Sequence, residues 1–335
     1  MIELSDAGLY CPAGGFHIDP WAPVDRAIIT HAHSDHARPG SRTYLTAQPG
    51  HSLLRARLAD DAASIESIPY GHRVTLGDVT VSLHPSGHIL GAAQIRIEHA
   101  GQVWVVSGDY KLAPDPTCQP FEPLRCDAFV TESTFALPIY RWPSEAAIAA
   151  EINAWWIANR DANRASMLFA YPLGKAQRIL SMVDATIGPI VAHGAVEKYS
   201  AIYRAHGIAL PAMWQPLPGS QPTPGALVLA PPSAMSSPWL KRFGVISRAM
   251  ASGWMRIRGA RRRRSLDRGF VLSDHADWPA LLSVINETRA ETVWVTHGYR
   301  AQLARWLEEQ GRRVGTLDVQ FEAEESEGAE AEGEQ

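Results

Sequence analysis

Within six residues, His31-Ala32-His33-Ser34-Asp35-His36, the chain carries four metal-competent side chains, directly after the apolar stretch Ala27-Ile28-Ile29-Thr30. Imidazoles and a carboxylate at this density have few structural uses. On a turn at the end of a strand, such side chains can line opposite walls and serve two neighbouring cations. A fold that suits this segment must deliver it to one edge of a sheet and bring further nitrogen and oxygen donors to meet it.

The same design recurs along the chain. Val79 to Leu83 leads through His84-Pro85-Ser86-Gly87 to His88, Val103 to Val106 leads to Ser107-Gly108-Asp109, and Ala128 to Thr131 leads to Glu132. Gly269 to Leu272 leads to Ser273-Asp274-His275, and Thr292 to Thr296 leads to His297-Gly298. These runs, rich in β-branched residues, read as buried strands, and loops at strand ends are where a rigid scaffold carries catalytic groups. Catalytic zinc takes imidazole nitrogen and carboxylate oxygen and keeps one position open. Two metals about 3.5–4 Å apart can share a hydroxide and clamp a phosphate. On the donors available, His31, His33 and His88 would hold one metal and Asp35, His36 and His297 the other, with Asp109 bridging both. Asp19, in Ile18-Asp19-Pro20, is placed to orient a ligating histidine from behind. This donor set suits zinc and also admits manganese.

Helical patterns lie between the strands. Ser144 caps an expected helix over Glu145 to Asn159, with Ile148, Ile152, Trp155 and Trp156 on one face. Ala176 to Ile187, Leu281 to Ile285 and Leu303 to Leu307 give three more, the last ended by Gly311. Residues 138–259 lack the strongest ligand turns and read as a separate α/β insertion. Residues 1–137 and 260–321 are then two parts of one α/β domain, and the Pro-rich Pro211 to Pro224 reads as an exposed connection. From Glu322 onward the tail, 322–335, carries seven glutamates and no base, a composition expected to stay disordered. Without it the formal charge of −4 becomes +3, so the body of the chain is basic and compatible with nucleic-acid binding. The three cysteines, Cys11, Cys118 and Cys126, form no metal or disulfide pattern and read as reduced thiols of a cytoplasmic protein. Neither a signal peptide nor an apolar run long enough to span a membrane is expected.

These residues resemble the metallo-β-lactamase superfamily. The resemblance rests on His31-x-His33-x-Asp35-His36, the Gly87-His88 turn and Ser107-Gly108-Asp109, and it implies an αβ/βα sandwich. Thr131-Glu132-Ser133-Thr134, Ser273-Asp274-His275-Ala276-Asp277 and Thr296-His297-Gly298 resemble motifs A, B and C of the β-CASP nucleases, and Leu173-Gly174-Lys175-Ala176-Gln177 resembles a stretch of their inserted domain. Within that group the chain is most similar to the bacterial ligase-associated DNA exonucleases, relatives of the Artemis-type repair enzymes. That similarity lies in Gly8 to Pro12, Phe16 to Trp21, His31 through Gly40, and Tyr110-Lys111.

The resemblance implies a dinuclear phosphodiesterase acting on single-stranded or end-bearing DNA, from the 5′ end, in repair. It implies an ATP-dependent DNA ligase and a helicase as partners. Asp35, Glu132 and His275 are then the catalytic candidates, with His275, paired to Glu132, protonating the leaving oxygen. Arg256, Arg258, Arg261 and Arg262 form a dense basic segment suited to phosphate contact, and Gly174-Lys175 at a helix start is a further candidate, through its backbone N–H groups. A β-CASP ribonuclease is the alternative: RNA-acting members carry histidine at motif C, as here with His297, whereas eukaryotic DNA-acting members carry valine. Position 299 is Tyr, where RNA enzymes often have Glu. A small-molecule metallo-hydrolase fits less well, because a small substrate needs neither the insertion nor the arginines.

Overall fold

Apolar runs such as Ala27-Ile28-Ile29 leave a strand no polar face, so both sides must be covered. A computed structural model, describing residues 1–59, 64–214, 224–257, 259 and 265–319, shows how this is done. The described chain forms two compact units: Met1–Tyr140 together with residues 275–319, and Arg141–Asp274. Both mix strands and helices, giving the α/β class read from the sequence. The first unit opens with β1 (Glu3–Ser5), β2 (Gly8–Cys11), β3 (Phe16–Ile18), β4 (Arg26–Ile28), β5 (Thr43–Ala47) and β6 (Ile65–Ile68), neighbours in one sheet in chain order, with helix α1 (His51–Leu58) between the last two. A second sheet begins with β7 (Arg73–Leu76), β8 (Val79–Pro85), β9 (Ala93–His99), β10 (Gln102–Val106) and β11 (Ala128–Ser133).

The second unit holds α2 (Glu145–Asp161), β12 (Ala165–Phe169), α3 (Lys175–Met182), β13 (Ile190–Ala192), α4 (Gly194–Ala205), β14 (Leu227–Ala230), β15 (Ile246–Ala251) and β16 (Arg268–Phe270). Ser144 caps α2 as expected, its hydroxyl accepting from Ala147 N at 3.3 Å. Trp156, Ile152 and Ile148 pack with Leu168 and Ala249 on one face of the sheet, while Met167, Phe169 and Met250 face the other way. The strands run parallel in the order β13-β14-β12-β15-β16. Composition alone ends this unit at 259 and sends the next strand back to the first. Arg268–Phe270 instead pairs with Ala249–Ala251, and Phe270 packs on Trp155, so the unit runs to Asp274.

The first unit is completed by α5 (Trp278–Thr288), β17 (Thr292–Gly298), α6 (Arg300–Glu309) and β18 (Arg313–Thr316). Its second sheet has the order β18-β17-β11-β10-β9-β8-β7. Side chains alternate between two cores, as the two-residue period of a strand requires. Val106 and Val130 pack with Ile18, Ile28 and Leu45 between the two sheets, whereas Val105 and Phe129 meet Leu281, Ile285 and Leu303 of α5 and α6. On the first sheet Ile28 faces the shared core while Ala27 and Ile29 meet Leu54 and Leu58 of α1. Helix, sheet, sheet and helix therefore stack in that order, which accounts for the doubly apolar runs.

Among the described residues no helix is long and apolar enough to cross a membrane. The Arg258, Arg261 and Arg262 candidates, most of the Pro-rich connection and the acidic tail lie outside the described residues. No disulfide joins the three cysteines. Cys11 and Cys126 are buried, and burial pushes the Cys11 thiol up and that of Cys126, helped by Asp127, to about 12. Thiolate is the reactive form, so a thiol reagent at neutral pH should modify the half-buried Cys118 and leave the other two until the chain unfolds. Mass spectrometry of the labelled protein tests this, and prompt modification of all three would contradict the packing.

Candidate metal centre

The strands β8, β10, β11 and β17 run in one direction, so the residues at their ends share an edge of the second sheet. The segment after β4 joins that edge through Ala93 N, which donates to Thr30 O at 2.8 Å. Gly108 lets the two sheet ends approach: with φ +55° it sits where a Cβ would lie 2.7 Å from Thr30 Cβ. His31, His33, Asp35 and His36 come from the turn after β4, His88 and Asp109 from the ends of β8 and β10, and Glu132 and His297 from β11 and β17.

Three ring nitrogens converge. His33 Nδ1 lies 3.1 Å from His31 Nε2 and 3.1 Å from His88 Nε2. With zinc–nitrogen bonds of about 2.0–2.1 Å, tetrahedral geometry sets nitrogens about 3.3–3.4 Å apart, so the spacing fits one cation. Asp109 Oδ2 completes the group at 3.5 Å from His31 Nε2 and 3.7 Å from His88 Nε2. Burial, reinforced by the neighbouring His36 and His88, holds His31 well below the usual imidazole range, which keeps it in the neutral form a metal needs.

The second expected set is looser but gathers on the same carboxylate. His36 Nε2 lies 3.4 Å from Asp109 Oδ2 and 3.6 Å from Asp35 Oδ2, and His297 Nε2 lies 3.1 Å from Asp109 Oδ1. That Oδ1 is buried and makes no hydrogen bond of good geometry, despite its closeness to His297. Burial works against charge on both partners, yet Asp109 and Asp35 lift His36 well above its usual range, and His36 and His275 hold Asp109 well below the carboxylate range. A buried carboxylate oxygen facing ring nitrogens without a well-formed hydrogen bond suits a bridging ligand.

Asp19 stands behind the cluster where the sequence placed it. Its Oδ2 meets His36 Nδ1 at 2.7 Å and accepts from Thr30 Oγ1 at 2.6 Å, while its Oδ1 accepts from Thr30 N at 2.8 Å. Beside the cluster, His275 Nδ1 lies 2.9 Å from Glu132 Oε2, and Tyr110 N donates to Glu132 Oε1 at 2.8 Å. Glu132, His275 and Asp109 form a second close group, His275 Nδ1 being 3.9 Å from Asp109 Oδ2.

Two supporting residues escaped the sequence reading. Thr30 bonds Asp19 twice and lies 3.0 Å from His31 Nδ1. Tyr110 holds Glu132 by its N–H, accepts from Ala276 N at 2.7 Å, and sets its hydroxyl 2.9 Å from Thr131 Oγ1. A threonine closing the strand just before the first histidine was the signal for Thr30. For Tyr110 the contacts to Glu132 and Ala276 are made by its backbone, which residue type does not reveal. The Lys175 side chain is fully buried, 3.7 Å from Asp274 Oδ2 and over the Tyr171 ring, which leaves the backbone N–H groups of its helix start as the phosphate donors the sequence pointed to. Arg256 is exposed at the end of the short helix Gly253–Arg256.

No family model matches the chain. Over 307 residues, 91% of this chain, it is 32% identical to a probable DNA ligase of Opitutus terrae, covering 30% of that protein. Over 147 residues it is 32% identical to endoribonuclease ysh-1 of Neurospora crassa, which is 42% of this chain and 16% of that one. The chain thus spans less than a third of the length of these curated relatives. A crystal structure of a protein of unknown function from Enterococcus faecalis V583 superposes with a TM-score of 0.58 at 14% identity, covering 89% of this chain and 80% of that one, a likeness of fold alone. The endoribonucleases are β-CASP members of the metallo-β-lactamase superfamily, and this chain belongs with them, as its motifs indicated.

Asp19→Asn keeps the shape but weakens the hold on His36 and Thr30. Replacing a group that orients a ligand typically costs 10–100-fold in metal affinity. A loss of about that size is expected for divalent metal in competition with a chromophoric chelator. Unchanged affinity would mean that Asp19 only stabilises the fold.

Proposed function

We propose that this protein is a metal-dependent nuclease hydrolysing phosphodiester bonds, built on a metallo-β-lactamase sandwich with the second unit as its β-CASP insertion. The observation that carries the reading is the convergence of His31, His33, His88 and Asp109 beside the His275–Glu132 pair. In this reading His31, His33 and His88 hold one divalent cation, Asp35, His36 and His297 hold a second, and Asp109 is shared, with zinc favoured by the donors. Bound there, such cations supply a water of lowered pKa and a clamp on the phosphate oxygens.

The chain's own groups then manage the leaving side. As the P–O bond breaks, the departing oxygen needs a proton. Glu132, its other oxygen fixed by Tyr110 N, holds His275 through Nδ1 and favours the charged imidazole, whose second nitrogen supplies that proton. Asp35, with a quarter of its side chain exposed, lies on the open side of the cluster, where substrate would enter.

Single-stranded DNA, attacked from the 5′ end, is the substrate we favour. The match to a protein named a probable DNA ligase covers nearly the whole chain, whereas the match to ysh-1 covers less than half. The same observation supports action beside a DNA ligase. RNA is the second reading, favoured by His297 and by the endoribonuclease names of the partial relatives.

Single-stranded DNA and matched RNA, each labelled at either end and incubated with zinc or manganese, test the choice. Faster cleavage of DNA with early loss of the 5′ label is expected, and preferred cleavage of RNA would overturn it. His275→Ala should lower turnover by roughly 10²–10⁴-fold while the metal content is kept. Parallel loss of metal would instead make His275 a ligand.

A further inference from the structure

Between Asp109 and β11 the chain forms a loop, residues 111–122, that wraps the turn carrying His88. Glu122 N donates to Pro85 O at 3.1 Å, Lys111 N donates to Ser86 O at 3.1 Å, and Cys118 Sγ lies 3.4 Å from Gly87 O. The approach at Gly87, with φ +73°, is so close that a Cβ there would sit 2.2 Å from Lys111 O and 3.0 Å from Phe121 N. The loop therefore presses on each residue that leads into His88.

Its shape is fixed at both ends. At the far end His84 Nδ1 lies 3.0 Å from Glu122 Oε1, and Gln94 Nε2 donates to Glu122 O at 2.7 Å and to Pro85 O at 3.0 Å. At the near end Lys111 is 1% exposed, its Nζ 2.5 Å from Asp115 Oδ2. Asp115 Oδ1 accepts from both Thr117 N, at 2.8 Å, and Thr117 Oγ1, at 2.6 Å. A buried ion pair is seldom worth more to stability than apolar residues of the same volume. What it adds is direction, and direction is what this turn needs: His88 Nε2 must meet His33 Nδ1 at 3.1 Å while Asp109, two residues before Lys111, faces the same point.

We propose that Lys111 and Asp115 are positioning residues of the metal centre: their ion pair holds the loop against the His88 turn and so aims a ligating nitrogen. This rests on the metal-centre reading above. Neither residue touches the cluster in this scheme; they act through Ser86, Gly87 and the backbone of the loop.

Cobalt(II) is the probe, because its visible absorption reports the geometry of its ligands as well as its affinity. Lys111→Met alone strands a buried carboxylate and should lower the melting temperature. The double variant Lys111→Met/Asp115→Leu removes both charges and should melt close to the parent, yet bind cobalt 10–100-fold more weakly, with an altered visible spectrum. Parental affinity and spectrum in the folded double variant would overturn the proposal, since a purely structural pair moves the melting temperature alone. Should the double variant fail to fold, Asp115→Asn, which keeps the shape and can still accept from Thr117, is expected to lose affinity several-fold, and parental binding there is equally fatal. A parent protein that binds no cobalt would defeat the metal-centre reading itself, and this inference with it.

Discussion

One buried carboxylate organises the first unit. Asp109 lies within 3.9 Å of a ring nitrogen from each of five histidines: His31, His36, His88, His275 and His297. Removing a carboxylate from water costs several kcal/mol unless charge and hydrogen bonds compensate. The imidazoles cannot all compensate by taking protons, because they would repel one another, and burial already holds His31 neutral. The charged form of His36, favoured by Asp109 and Asp35, offsets part of that cost, and a divalent cation held by the neutral rings would offset the rest.

The two-sheet architecture makes that density affordable. The donors follow a strand or, like His297, lie at the end of one, and the neighbouring residues are locked in a core, so the site inherits its rigidity from Ile28, Val106 and Val130 between the sheets. Supporting bonds come from the backbone as much as from side chains. Tyr110 N holds Glu132 while Tyr110 O holds Ala276 N, so a single residue joins the end of β10 to Glu132 and to the residue after His275. The loop behind Gly87 extends the same principle to His88.

The site was largely legible in the sequence because its signals are local. Four donors in six residues, and apolar runs ending at His88, Asp109, Glu132 and His297, need only a sheet to meet. Helix α2 was legible for the same reason, from Ser144 and the spacing of its apolar residues. What failed depended on partners far away in the chain. The strand Arg268–Phe270 looked like its neighbours in composition, and only its pairing with β15 assigns it to the second unit. Nothing local foretells that the Lys175 side chain is buried beside Asp274, 99 positions later. Thr30, Tyr110 and Lys111 act through bonds that composition does not display.

Anomalous diffraction from crystals grown with zinc, collected on either side of the zinc absorption edge, tests the central claim most directly. The account predicts a strong anomalous peak about 2.0–2.1 Å from His31 Nε2, His33 Nδ1 and His88 Nε2, with Asp109 as its neighbour. An ordered cluster that shows no anomalous scatterer at saturating zinc, its histidines bonded to protein groups alone, would contradict it.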